Sequence, residues 1–380
     1  MSRATEESAK VEQRPTAWGH LQVSPRTPGS SMQLSIIVPV YNNPDDLREC
    51  LAALLIAPRP DVEIIVVDDA STDDTAAVAR DMGARVLRLA QNSGPAAARN
   101  HGASQAQGDI LFFVDADVVL LPGAVDRVLR LFAAHPEVTA VFGSYDAHPR
   151  AASTVSRYRN LLHHFVHQRG KAEASTFWAG CGAIRRTVFQ EVGGFDAQRF
   201  PRPSIEDIEL GYRLRQAGHR ILLDKALQGT HLKRWTLRSI IQTDIVNRAI
   251  PWARLILERK IIPDDLNLKG GQRLSVALVG LSCISFLLTV FRFELMFLGA
   301  IALGSVIILN RQLFLFLFRQ HGLLFAIQCI PLHLLHYFYS GLSYVYVWLR
   351  FQIESAVAQL APPPHRRSPA KAGKQSRSPH

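Results

Sequence analysis

Hydrophobic positions fall into two regimes along the chain. From residue 34 to about 235, short apolar runs alternate with amphipathic stretches; beyond about 269, long uncharged runs follow one another. Leu34–Val40, Val62–Val67 and Ile110–Val114 are continuous apolar runs that predict buried strands. Arg85–Leu89 is a weaker run of the same kind, and Arg220–Leu223 is strand-like. The stretches between them carry helix starts. Asn43-Pro44-Asp45 offers a cap and an N1 proline before Leu47, Leu51, Leu54 and Leu55. Ser71-Thr72-Asp73-Asp74 caps a helix holding Ala76 to Ala79. Alternating β and α elements with fully apolar strands predict a parallel sheet covered by helices on both faces. Ligands of such sheets bind beyond the carboxyl ends of the strands.

The second regime predicts membrane spans. Leu274–Phe291 has no charge, Phe293–Leu309 has only Glu294, and Gly322–Leu349 has none. Runs of this length exceed what a buried soluble helix usually shows, so about three spans are expected, at 274–291, 293–310 and 323–349. Tyr337, Tyr339, Tyr344, Tyr346 and Trp348 resemble an interfacial aromatic belt. His333 and His336 within the third run are expected to make polar contacts facing the bundle. Residues 1–33 are rich in Ser, Pro, Thr and Arg without apolar period and predict a flexible leader rather than a secretory signal.

Charge sharpens this division. The net charge of +11 is concentrated in residues 231–273 and 361–380, which contribute +5 each. Two basic clusters flanking an apolar region suit juxtamembrane anchors on anionic lipid, and argue against a nucleic-acid-binding surface. The expected layout is a domain over 34–235, a basic amphipathic segment over 236–273, spans over 274–350 and a basic disordered tail over 351–380. Lys269, Arg273, Arg311 and Arg319 place a cytoplasmic side by the positive-inside tendency, with the large domain in the cytoplasm of a multi-pass inner-membrane protein. Three spans put the basic tail outside, against the same tendency; a re-entrant third run would keep it inside. The four cysteines are scattered without CxxC spacing, which excludes a disulfide scaffold and a cysteine zinc site.

Candidate chemistry gathers at predicted strand ends. Pro39-Val40-Tyr41-Asn42 follows the first strand, Asp68-Asp69-Ala70-Ser71-Thr72-Asp73 the second, and Asp115-Ala116-Asp117 the run Ile110–Val114. Asp73 and Asp74 are helix-capping acids. Asp115 and Asp117, one residue apart after a buried strand, need a cation, and hard oxygen ligands favour Mg²⁺ or Mn²⁺ with phosphate oxygens completing the shell. Further on, Asp207, Leu210, Gly211 and Leu214 share one helix face at i, i+3, i+4 and i+7. A carboxylate on that inward face should have a raised pKa suited to general-base work, against a plainer reading as a partner of the helix dipole. Glu209 and Arg213 form an i, i+4 pair on another face. His163 and His167 share that spacing without H-E-x-x-H and predict a solvated helix face. No P-loop occurs, and Gly180-Cys181-Gly182 lacks the third glycine of a dinucleotide fingerprint.

The order V-P-V-Y-N, V-V-D-D-A-S-T-D, N-S-G-P-A-A-A-R-N, D-A-D and I-E-D-I-E-L resembles the family 2 glycosyltransferases of the GT-A fold, over roughly Leu34 to Trp235. The resemblance implies an α/β Rossmann-like nucleotide-diphospho-sugar transferase domain, here followed by α-helical transmembrane segments. It implies that Pro39 and Tyr41 line the nucleoside pocket, that Asp69, with Asp68 beside it, recognises the base, and that Arg99 lies near the diphosphate. The alternative for Arg99 is an arginine on the helix surface. Asp115 and Asp117 match the metal–diphosphate motif, with Asp117 the better ligand. Asp207 matches the catalytic base, Glu206 a supporting or acceptor contact, and Trp178 an acceptor-side loop. His231 resembles a late metal-binding histidine. The segment His231-Leu232-Lys233-Arg234-Trp235 keeps the Arg-Trp of the processive synthases' Q-x-x-R-W but has His for Gln, which tells against processive synthesis and leaves His231 between metal and acceptor.

These features together lead to the expectation of an inverting, Mg²⁺- or Mn²⁺-dependent hexosyltransferase of cell-envelope polysaccharide synthesis. It would use a UDP- or GDP-linked nucleotide sugar and a membrane lipid or lipid-linked glycan acceptor. A polyprenyl-phosphate transferase, a processive synthase and a non-catalytic nucleotide-sugar-binding scaffold are the alternatives.

Overall fold

A computed structural model of the chain describes residues 32–56, 59–260 and 265–360. Most of the predicted leader and residues 361–380 of the predicted tail lie outside the described residues. The first half runs β1 (Leu34–Val40), α1 (Pro44–Leu55), β2 (Val62–Asp68), α2 (Thr75–Asp81), β3 (Arg85–Arg88), α3 (Pro95–Gln105) and β4 (Ile110–Val114). It continues with β5 (Val118–Leu120), α4 (Ala124–Ala134), β6 (Ala140–Tyr145), α5 (Thr154–Gln168), β7 (Glu173–Ala174), β8 (Cys181–Arg185), α6 (Arg186–Glu191), α7 (Glu206–Gln216) and β9 (Ile221–His231). Each apolar run thus becomes a strand, and Pro44 sits in the first turn of α1 as its fixed φ favours.

The sheet order is β3-β2-β1-β4-β8-β6-β9-β5, with β7 paired to β9. Strands β1 to β4 are mutually parallel, as the alternating pattern predicts. The remainder departs from the expected all-parallel sheet: β8 runs antiparallel to β4 and β6, and β5 antiparallel to β9. The short β5 and β7 carry no periodic signal, which is why the mixed half was not legible. Residues alternate across the plane. Leu34, Ile36 and Val38 face α1 and α4 with Leu47, Leu51, Val128 and Phe132. Ile37, Val67, Leu111 and Phe113 face α3 and α6 with Ala96, Ala98 and Phe189. Helices therefore cover both faces, and only the strand ends are left to build a cleft.

Beyond β9, α8 (Leu237–Gln242) continues into a π-helix at Thr243–Ala249 and α9 (Ile250–Arg259). Then come α10 (Gly270–Leu288), α11 (Leu295–Leu309) and α12 (Arg311–Leu360), the last broken at Gly322, whose φ is 84°. Among the described residues α10 and α12 are long and apolar enough to cross a membrane, whereas α11 is a shorter apolar helix. Residues 351–360, expected in a disordered tail, continue α12 instead. Glu354 accounts for this by pairing with Arg350 one turn earlier and with Arg254 of α9. The apolar helices are seated on the sheet domain through α5: Tyr158, Leu161 and Leu162 pack on Leu313, Leu317 and Phe325. His333 makes the inward polar contacts expected of it, with Tyr158, Asn310 and Tyr337.

Candidate active site

The end of β2 is tied down by its own acids. Asp68 is fully buried; its Oδ1 accepts from the Ser71 amide at 2.9 Å, and Arg88 lies 3.4 Å from Oδ2. Asp69 accepts from the amides of Ser93 and Gly94, one on each oxygen, at 2.7 and 2.8 Å. Burial raises its carboxyl above the usual range, and those two amides pull the other way. Between the acids and α2, Ala70 takes a left-handed φ of 63°, a conformation that costs a non-glycine residue about 1 kcal/mol or more and needs the surrounding hydrogen bonds to hold it. Pro39, the penultimate residue of β1, pairs with Val67 beside this loop, and Tyr41 just beyond the strand is 47% exposed. Gly94 cannot be replaced without conflict, because its φ is 84° and a Cβ would lie 2.4 Å from the Pro201 carbonyl oxygen.

Arg99 is the centre of the cleft floor. It is 5% exposed, which rules out the helix-surface alternative. One terminal nitrogen donates to Glu206 Oε1 at 2.9 Å and the other to Asp115 Oδ1 at 2.7 Å. Burial opposes its charge, but Asp115, Glu206 and Asp207 hold the guanidinium pKa above its ordinary value. Glu206 is buried as well, and its second oxygen accepts from the Ser204 amide. Three carboxylates around one guanidinium leave a negative surplus at the mouth of the cleft.

Asp117 and His231 face each other across β5 and β9, with His231 Nε2 3.4 Å from Asp117 Oδ2. The other ring nitrogen, Nδ1, meets Asn160 Oδ1 at 2.7 Å, so α5 fixes the tautomer and aims Nε2 at the carboxylate. Burial alone would raise the Asp117 carboxyl, but His231 and Lys233 hold it below the usual range. No group of three or more His, Cys, Asp or Glu side chains is drawn together as a metal cluster among the described residues. Asp115, the third expected ligand, has turned one oxygen to Arg99. Behind His231 lies a ring cluster. Tyr145 stacks on His231 at 4.2 Å and 8°, and touches His163 and Trp178. His163 and His167 therefore belong to this cluster and do not form the solvated face predicted for them; His167 is buried and bonded to the Gly143 carbonyl. Burial pushes both imidazoles well below their usual pKa. Asn160 and Tyr145 carry no local sequence signal, because their roles depend on pairing with His231, 71 and 86 positions away.

Asp207 lies in the first turn of α7, with Leu210, Gly211 and Leu214 buried on the same side as the spacing predicts. Its Oδ2 accepts from the Ala179 amide at 3.1 Å and its Oδ1 from the Ile208 amide at 2.8 Å. The residue is half-buried; desolvation first, and the charge of Glu206 second, push its carboxyl up to about 7. Glu209 pairs with Arg213 as expected and also with Arg259. Trp178 stands on the adjoining segment, its ring against Gly180. Gly211 lets α7 approach that segment: a Cβ there would lie 2.3 Å from the Phe177 amide nitrogen and 2.6 Å from the Thr176 carbonyl carbon. Gly211→Ala should gain about 1 kcal/mol of helix propensity and lose more to backbone displacement, for a net cost of about 1–3 kcal/mol in chemical denaturation. A neutral or stabilising result would show that α7 can retreat freely.

The α/β domain thus brings a buried arginine, several carboxylates and an Asp–His pair to its strand ends. Residues 35–193 match the model described as Glycosyl transferase family 2. The pre-mycofactocin glycosyltransferase of Mycobacterium tuberculosis is 31% identical over 232 residues, 57% of this chain and 47% of that protein. An uncharacterized glycosyltransferase of Haemophilus influenzae is 26% identical over 58% of this chain and 76% of its own length. The chain thus spans about half the length of the first of these curated relatives. The structure of the mannosyltransferase PcManGT from Pyrobaculum calidifontis, in complex with GDP-Man and Mn²⁺, superposes over 92% of this chain and 91% of its own with a TM-score of 0.50 and 20% identity, a likeness of fold.

Proposed function

We propose that this protein is a metal-assisted, inverting glycosyltransferase that moves a sugar from a nucleoside-diphosphate donor to a hydroxyl of a membrane-associated acceptor. The observation that carries this reading is a half-buried carboxylate, Asp207, held in the first turn of α7 by the Ala179 and Ile208 amides and close enough to the Arg99 cluster at the strand ends to act on its charge. Asp207 takes the proton of the acceptor hydroxyl as its oxygen bonds to the anomeric carbon. The carbon–oxygen bond to the diphosphate breaks, and the leaving group departs with that electron pair. One displacement inverts the anomeric centre. Asp69 and Tyr41 bound the nucleoside end, Trp178 and Glu206 the acceptor end.

The chemistry of the donor set fits a divalent ion: Asp117 and His231 face each other with the imidazole oriented by Asn160, and the free oxygen of Asp115 is nearby in sequence. When bound there, Mg²⁺ or Mn²⁺ would neutralise charge on the diphosphate leaving group. The membrane reading is supported by α10 and α12, whose apolar windows are only 22% and 28% buried, unlike the core helices of a soluble domain. Lys269, Arg273, Arg311 and Arg319 at the helix ends favour a cytoplasmic catalytic domain. The test is turnover of UDP- and GDP-linked hexoses by the full chain in native membranes. A chelator should lower transfer by about 100-fold or more, with Mn²⁺ restoring it. Full activity in the chelator would remove the metal from the mechanism, and no turnover of any nucleotide sugar would overturn the enzyme reading.

A further inference from the structure

Beyond its break at Gly322, α12 meets the sheet domain and its flanking helices near both ends. Phe325 and Cys329 are buried against Tyr158 and Leu161 of α5, and the Thr154 hydroxyl donates to Gln328 Oε1 at 3.1 Å. Further along, the Tyr339 hydroxyl donates to Asp244 of the π-helix at 2.6 Å. Near the far end, Arg254 of α9 stands 3.1 Å from Glu354. Arg157 and Arg159 in α5, with Arg254 and Glu258 in α9, keep those elements out of hydrocarbon. At about 1.5 Å per residue, the interval from Gln328 to Glu354 is about 39 Å long, against a hydrocarbon core of about 30 Å. A helix that crossed the bilayer over this interval would have left the domain's side before reaching Arg254.

The other face of α12 is an apolar stripe. Leu324, Ile327, Phe338, Leu342, Leu349 and Ile353 recur at spacings that keep one side of a helix, and all are exposed. Tyr344, Tyr346 and Trp348, side chains suited to headgroup level, are exposed beside the stripe, and Arg311, Arg319 and Arg350 are exposed along the same helix. The helices α10 and α11 stand differently. They form a hairpin, in which the Ser282 hydroxyl donates to the Gly299 carbonyl at 2.9 Å. Its base is fixed to α12, where Tyr337 donates to Asn310 Oδ1 at 2.8 Å and packs with Val279 and Val306. Its turn exposes Val290, Phe291 and Phe293.

We infer that α12 does not cross the membrane: it lies in the plane of the bilayer surface, its domain-facing side held by α5, the π-helix and α9 and its apolar stripe sunk into an anionic lipid surface. Insertion is carried by the α10–α11 hairpin, which enters and returns on the same side. This rests on the membrane part of the proposed function and replaces its three crossings by a single inserted hairpin. A length of about 44 Å from Leu324 to Ile353 is too great for a crossing stripe but suits an in-plane one, whose extent the bilayer thickness does not limit. The basic stretch 361–380, outside the described residues, then follows α12 on the domain's side, in accord with the positive-inside tendency.

The experiment uses the full chain carrying Cys283→Ala, which removes the exposed native thiol. One probe cysteine replaces the exposed Ala152 of the catalytic domain, and another is appended after His380. A membrane-impermeant maleimide should label both in the same preparation, intact cells or inverted vesicles, and neither in the other. Labelling from opposite sides would overturn the inference. Nitroxide labels at Leu324, Leu342 and Ile353, in vesicles of phosphatidylethanolamine and phosphatidylglycerol, read the depth of α12. All three should lie about 5–10 Å into the headgroup–acyl boundary. A crossing helix would instead put Leu342 near the midplane, about 15 Å into the hydrocarbon, with the other two near its surfaces. That gradient would overturn the inference, as would labels as open to water as one at Ala152, or spin coupling between copies, which would put a second chain on the stripe. Extraction with alkaline carbonate reads the underlying membrane assignment separately. The chain should stay in the pellet, and its release would bring down that assignment, whereas retention with opposite-side labelling would overturn only the in-plane placement of α12.

Discussion

Asp207→Asn should bind a nucleoside diphosphate with Mn²⁺ as tightly as the wild type and transfer sugar about 10²- to 10⁴-fold more slowly. The substitution keeps the side chain's size and one oxygen acceptor for the Ala179 amide, so the fold around α7 survives. It removes the only feature of the residue that the reaction uses, a basic oxygen. The pH dependence follows with a definite sign. A carboxyl raised to about 7 is mostly protonated below neutrality and cannot accept a proton there. The wild-type kcat/KM should therefore rise about tenfold per pH unit on the acid side and level off above about 7. The Asn variant should lose that limb. Normal turnover in Asp207→Asn would sink the base role, and would favour a nucleophile already ionised, such as a phosphate oxygen of the acceptor.

The parts of this site that were legible in the sequence are those carried by local pattern. β1, β2 and β4 announce themselves as apolar runs, so the sequence alone places Asp68, Asp69, Asp115 and Asp117 at strand ends. The inward face of α7 followed from 3.6-residue spacing. What local pattern could not decide depends on pairing across the chain. Arg99 has its two partners 16 and 107 residues away, and nothing in its helix separates a buried clamp from a surface cation. His163 and His167 look solvated because their spacing suits an exposed face; only the docking of α5 against β6 and Trp178 buries them.

Arg99 yields the largest expected loss of stability. Arg99→Ala would leave the buried Glu206 and the partly exposed Asp115 facing each other without their shared counter-charge. Removing one partner of a buried, hydrogen-bonded ion pair costs about 3–5 kcal/mol, mostly through the charge left behind. For a domain of about 200 residues that corresponds to a fall in melting temperature of roughly 10 °C. The double variant Arg99→Ala/Glu206→Gln separates the causes. Neutralising Glu206, which is 4% exposed, should recover a substantial part of the loss, whereas Glu206→Gln alone should be destabilising because Arg99 then lacks one of its anions. A direct contact between Arg99 and the donor diphosphate makes a different forecast: stability close to wild type, with weakened nucleoside-diphosphate binding and no rescue by Glu206→Gln. The hydrogen bonds favour the first outcome, since both terminal nitrogens of Arg99 already donate to carboxylates at 2.7 and 2.9 Å. Arg99 then acts on the reaction by fixing where Asp115 and Glu206 stand, and its removal should lower turnover through loss of that geometry even at temperatures where the domain remains folded.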